Sequence, residues 1–145
     1  MKIGRWKMIT IRTSHLEQVF THARDSSPDE CCGLIGGGDD GITASVYRLR
    51  NIASNPETAY EAAPEELFTA QRRMRDRGEQ LLAIYHSHPR SIEPEPSETD
   101  IRLAFYPAAT YVIVGLAGTQ PVLRAFRISE RDHCWQRVEY AIADE

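Results

Sequence analysis

Five polar side chains stand out by type and spacing: Glu30, the pair His86 and His88, then Ser97 and Asp100. Two imidazoles and a carboxylate are suitable donors for a zinc ion. Three protein ligands leave a fourth position open to water, the arrangement of a catalytic rather than a structural site. In a strand, residues two apart point to the same face, so His86 and His88 lie side by side while Ser87 points away. Ser97 and Asp100 also spell an S-x-x-D capping box. With Ser97 as N-cap, Asp100 falls in the first helical turn, where the helix dipole favours a carboxylate. From there it can lean toward the strand end that carries the histidines, so capping and ligating are compatible. On spacing alone, the H-x-H pair divides about evenly between metal ligands and ordinary polar residues at a strand end.

Hydrolysis at such a centre also needs a proton carrier. Zinc lowers the pKa of its water to about 7, and a nearby carboxylate then takes the proton and passes it to a leaving amine. Glu30 is the candidate, because it heads a short apolar run that could lie beside the histidine-bearing strand. Local pattern alone reads it as an exposed acid at a strand's start. His15, His22 and His133 have no companion motif.

The elements that must position these groups follow from periodicity. Residues 8–13 alternate apolar and polar, as in a half-buried strand. Ser14 offers an N-cap, with Glu17 completing a capping box. Leu16, Val19, Phe20 and Ala23 then give one apolar face to a helix over about 14–24. Residues 30–38 form a short apolar strand that closes on glycines, and Asp39-Asp40-Gly41 makes a hairpin turn. The return strand over 42–51 contributes Ala44, Val46 and Leu49. Residues 51–63 have no clear period and read as loop with at most a short strand piece. Pro64 suits the first position of a helix. Leu67, Phe68, Gln71 and Met74 share one face, while Arg72, Arg73, Arg75 and Arg77 crowd the others, a pattern that fits a patch for an anionic partner but fits a solvated helix face better. Gly78 stops the helix.

Residues 81–85 form a continuous apolar run, expected of a strand buried on both sides, and it leads directly to His86. The three prolines in 89–96 demand a loop. Ser97 starts a helix to about residue 105, and three strands follow over 111–116, 122–128 and 135–141. This order predicts a mixed α/β sandwich, with helices packed on a largely central sheet.

Composition narrows the setting. The 145 residues suit one domain with a real core. A net charge of -4 argues against a nucleic-acid surface. No run approaches the length of a membrane span, and the basic N-terminus lacks the apolar stretch of a signal peptide. Three cysteines, with Cys31 and Cys32 adjacent, disfavour a disulfide framework and favour a reducing, cytoplasmic setting. The adjacent pair reads as small buried apolar residues, not nucleophiles.

Taken together, Glu30, His86-Ser87-His88-Pro89 and Ser97-x-x-Asp100 closely resemble the JAMM motif of the MPN+ metalloproteases (E…H-[S/T]-H-P…S-x-x-D). Glu30-Cys31-Cys32-Gly33-Leu34-Ile35-Gly36 resembles the E-x-C-G-L-[L/I]-x-G opening common in bacterial members. The likeness extends from about Ile9 to Trp135. It implies a single JAMM/MPN domain over 1–145, with a cytidine-deaminase-like mixed β-sheet sandwich and flanking helices. It also implies Zn2+ held by His86, His88 and Asp100, with Glu30 as general acid/base and Ser97 steadying the oxyanion of the tetrahedral intermediate. One departure is the loop between His88 and Ser97, which is one residue longer than the family's usual spacing.

For function, the resemblance implies a zinc metallopeptidase. Its expected substrate is a peptide or isopeptide bond at the C-terminal tail of a ubiquitin-like or sulfur-carrier protein, with no nucleic acid and no membrane involved. A catalytically silent MPN scaffold is the alternative, although such members usually lose motif residues and this chain keeps all five. A zinc deaminase is disfavoured because its P-C-x-x-C half-motif is absent.

Overall fold

A computed structural model describes residues 6–144; residues 1–5, which include most of the basic N-terminus, lie outside it. In chain order the elements are β1 (Thr10–Arg12), α1 (Thr13–Ser26), β2 (Cys32–Gly37), β3 (Thr43–Leu49), α2 (Pro64–Asp76) and β4 (Gln80–His88). They continue with α3 (Glu98–Arg102), β5 (Thr110–Gly115), β6 (Val122–Ser129), β7 (Cys134–Val138) and β8 (Ala141–Ala143). Six strands form one sheet in the order β3-β2-β4-β5-β6-β7, while β1 and β8 pair in parallel beside it. Within the large sheet only β4 and β5 run parallel. A parallel pair needs a crossover, and here loop 89–96 and α3 supply it. That crossover begins at the C-terminal end of β4, where the histidines are.

The central strands are buried on both faces, as the apolar run over 81–85 requires. Ile35, Ala83, Tyr85, Val112 and Val114 pack with Val19 and Ala23 of α1. Their sequence neighbours Leu34, Ile84, Tyr111 and Ile113 pack on the opposite face, with Ala70 and Met74 of α2 and Ile101 of α3. His86 has the parity of Ile84 and therefore faces the α2 and α3 side. Ser87 has the parity of Tyr85 and faces α1.

Several boundaries differ from the sequence expectation, each for a local reason. Helix α1 begins at Thr13 with Arg12 at the N-cap position and no side-chain cap, so the Ser14–Glu17 box does not form. The Thr13 hydroxyl instead donates to the Ala143 carbonyl at 2.9 Å, because β1 runs straight into the helix while paired to β8. In β3 the register slips at Gly36/Gly37, which leaves Ala44 without a partner and exposed, and the buried positions are Thr43, Tyr47 and Leu49. On α2 the buried stripe is Ala70 and Met74, with Leu67 partly covered; Phe68 is 62% exposed under the Arg72 guanidinium. Helix α3 stops at Arg102. The expected last strand breaks after Val138, and β8 crosses to the small sheet. No helix among the described residues is long and apolar enough to cross a membrane.

Candidate metal centre

The site is assembled by strand register. β2 and β4 are antiparallel with Cys32 opposite His86, Gly33 opposite Tyr85 and Leu34 opposite Ile84. Extending that register two residues brings Glu30 opposite His88. The expected neighbour relation between the acid and the histidine strand is therefore the one observed. Glu30 is not an exposed strand-start acid but is 5% exposed. Its amide donates to the Pro56 carbonyl at 2.7 Å, and its carbonyl accepts from Asn51 Nδ2 at 2.9 Å.

His86 Nε2, His88 Nε2 and Asp100 Oδ2 stand at the corners of a triangle 3.1 Å on each side. Neutral imidazoles cannot satisfy all three contacts as hydrogen bonds, since one N–H points to one acceptor only. Three converging lone pairs are what a cation requires. Donor atoms ~2.0–2.1 Å from a tetrahedral zinc are separated by roughly 3.3 Å, so the triangle fits that ion with little adjustment. Glu30 also offers a carboxylate oxygen within 4.8 Å of a nitrogen on each of His86 and His88. Asp100 Oδ2, at 3.1 Å from both Nε2 atoms, is the closer candidate for a third donor. Glu30 keeps Oε1 buried and without a hydrogen-bond partner among the described residues, free to act on what the centre binds.

Asp100 is held by the expected capping box. Its Oδ2 accepts from the Ser97 amide at 2.9 Å, and Ser97 Oγ accepts from the Asp100 amide at 3.1 Å. The Ser97 hydroxyl keeps its own hydrogen available for donation. Loop 89–96 leads into this cap and is itself pinned by backbone hydrogen bonds. The Ser91 amide donates to the His88 carbonyl and the Ser91 carbonyl accepts from the Ala117 amide, both at 3.0 Å. Gly115 makes room for the crossing, since a Cβ there would lie 2.6 Å from the Ser91 carbonyl oxygen and 2.9 Å from Pro94 Cδ.

Electrostatics separate the two carboxylates. Burial raises both, but the neighbouring imidazoles and the Ser97 amide overcome it at Asp100 and hold that carboxyl well below the usual range. Burial dominates at Glu30 and pushes its pKa up to about 7, with His88 opposing and Asp100 assisting the rise. One acid stays ionised, as a metal ligand would have to be, and the other titrates near neutrality, as a proton carrier would have to. Burial lowers the His86 pKa against the pull of Asp100, favouring the neutral imidazole that a metal needs.

Residues 12–129 match the family model for prokaryotic homologs of the JAB domain. The chain belongs to the prokaryotic JAB family. Among the relatives of this JAB chain, a CysO-cysteine peptidase of Mycobacterium tuberculosis is 32% identical over 129 residues, covering 88% of each chain. A desampylase of Haloferax volcanii is 34% identical over 102 residues, covering 67% of this chain and 73% of that protein. A probable TtuB-protein conjugate cleaving protease of Thermus thermophilus is 37% identical over 115 residues, covering 79% and 72%. The fold of this JAB chain is similar to the solution structure of a Desulfitobacterium hafniense protein, with TM-score 0.84 and 37% identity over 95% of this chain and 94% of that one. A JAB1/MPN domain protein from Archaeoglobus fulgidus superposes with TM-score 0.63 at 17% identity, covering 94% of this chain and 99% of that one.

The other expected groups fall outside the centre. The His15 Nδ1 pairs with Thr43 Oγ1 at 2.7 Å, and His22 Nδ1 with the Tyr85 hydroxyl at 2.6 Å, so both are buried structural histidines. Burial raises the Cys31 thiol to about 11 and Cys32 to about 12, which leaves neither as a nucleophile. Two residues that sequence reasoning did not single out also serve the site. Asn51 organises loop 51–63, and Tyr60 on that loop stacks against the His86 ring at 4.6 Å. An Asn opening a segment with Ser-Asn-Pro downstream is a turn signal that marks such an anchor.

Proposed function

We propose that the chain is a zinc metallopeptidase that hydrolyses a peptide or isopeptide bond at the C-terminal tail of a ubiquitin-like or sulfur-carrier protein. The observation that carries this reading is the 3.1 Å triangle of His86, His88 and Asp100 with the unpaired, buried Glu30 oxygen beside it. The names of the relatives, a CysO-cysteine peptidase, a desampylase and a conjugate-cleaving protease, support the substrate class.

His86, His88 and Asp100 would hold the ion. Zinc bound there would supply Lewis acidity for water activation. Glu30 accepts a proton from the attacking water and returns it to the leaving amine, a task suited to a carboxyl that titrates near 7. Ser97 donates its hydroxyl hydrogen toward the developing oxyanion while Oγ continues to cap α3. Burial of the centre strengthens each of these interactions relative to water.

The test is incubation of the zinc-loaded protein with a sulfur-carrier or ubiquitin-like protein. One arm carries a C-terminal peptide extension and a second a lysine isopeptide adduct, with intact mass followed over time. Loss of the added mass in either arm is the expected result. Unchanged masses in both would overturn the proposal.

A further inference from the structure

A metal-ligating histidine almost always donates its second ring N–H to a carboxylate, carbonyl or water, which fixes the ring's orientation. Among the described residues, none supplies such a partner to His86. Its side chain is buried, and Nδ1 has no hydrogen-bond partner among the described residues. Something else must stop the imidazole from rotating away from the triangle. Tyr60 lies against it with ring centroids 4.6 Å apart and planes only 29° from parallel, a stacked contact that resists rotation of either ring.

Tyr60 is itself fixed from both sides. Asn51 Nδ2 donates to the Ala59 carbonyl at 3.0 Å, and Asn51 Oδ1 accepts from the Glu61 amide at 3.1 Å. The same Nδ2 donates to the Glu30 carbonyl at 2.9 Å. The Ile52 amide donates to the Glu61 carbonyl at 2.8 Å, and Asn51 bridges Ala62. One side chain thus anchors the backbone of Glu30 and both neighbours of the residue stacked on a ligand.

From these contacts we infer that Tyr60 is a positioning residue. Its ring face orients His86 for metal. The inference rests on the reading of His86, His88 and Asp100 as the metal triad. It requires an aromatic face and not the hydroxyl, so Tyr60→Phe retains the function and Tyr60→Leu loses it.

The test is zinc affinity by chelator competition for wild type, Tyr60→Phe and Tyr60→Leu, together with the visible absorption of the cobalt-substituted proteins. Phe is expected within about twofold of wild type, and Leu weaker by about tenfold or more, the scale for loss of an outer partner. The cobalt bands should be altered only in Leu. Equal affinity and spectrum in Leu, or a loss in Phe as large as in Leu, would overturn the inference while leaving the metal triad standing. Absence of zinc binding in wild type would sink the triad and this inference together. If Tyr60→Leu does not fold, the metal-free wild type decides by NMR. Carbon-bound ring protons of His86 shifted upfield of those of His88 support the stack, and unshifted protons overturn it.

Discussion

Ser87 Oγ accepts a hydrogen bond from the Cys31 amide at 2.8 Å, on the face of β4 away from the metal centre. The central residue of His86-Ser87-His88 is therefore a clamp between strands. It holds the residue after Glu30 while its two neighbours face the candidate metal centre. Ser87 is fully buried, so Ser87→Ala strands an amide with no water to replace the hydroxyl. The expected cost is about 1–3 kcal/mol of stability, with zinc stoichiometry retained. Chemical denaturation and metal analysis check this; unchanged stability would mean that the clamp carries no weight.

Glu30 makes the metal-free protein sensitive to pH in a predictable direction. Its folded pKa, about 7 against a reference of 4.5, means that the native state keeps a proton the unfolded chain releases. That contribution is full below 4.5 and is lost as pH rises through about 7. In Glu30→Gln nothing titrates there. Its melting temperature should therefore match wild type near pH 4.5 and exceed it increasingly up to pH 8, as thermal melts of the two metal-free proteins would reveal.

His22 acts in the opposite sense. Burial lowers its pKa to about 4 from 6.5, so the folded state excludes a proton that the unfolded chain takes up. The stability it contributes is present above 6.5 and lost as pH falls toward 4. Asn in its place keeps an acceptor within reach of the Tyr85 hydroxyl without titrating. The stability gap between wild type and His22→Asn should shrink as pH falls from 7 to 4, read from denaturation midpoints.

Gly115 lets the crossover loop lie against the sheet. Gly115→Ala must push Ser91 and Pro94 outward and disturb the path into Ser97. Weaker zinc retention under dialysis against a chelator is expected, with secondary structure by circular dichroism unchanged. Wild-type retention would show that the loop yields without moving the cap.

How far the site was legible depended on the range of the interactions. His86 and His88 sit two apart on one strand, and Asp100 three after its cap, so local rules placed them. Glu30 was harder. Its burial comes from pairing with a strand more than fifty residues away, and only the resemblance singled it out from an exposed acid. Tyr60 and Asn51 lie in an aperiodic loop whose order comes from side-chain bonds to backbone, which leave no period to read. The same limit explains the helix α1 start and exposed Phe68, where the spacing could not register the pairing of β1 with β8 or which stripe of α2 meets the sheet.

In the proposed mechanism Glu30 moves the proton at a centre held by His86, His88 and Asp100. The most direct measurement takes Glu30→Gln through zinc analysis and carrier cleavage in parallel with wild type. One zinc per chain is expected in both proteins, with cleavage abolished only in the variant. Cleavage at the wild-type rate by a fully zinc-loaded Glu30→Gln would contradict it.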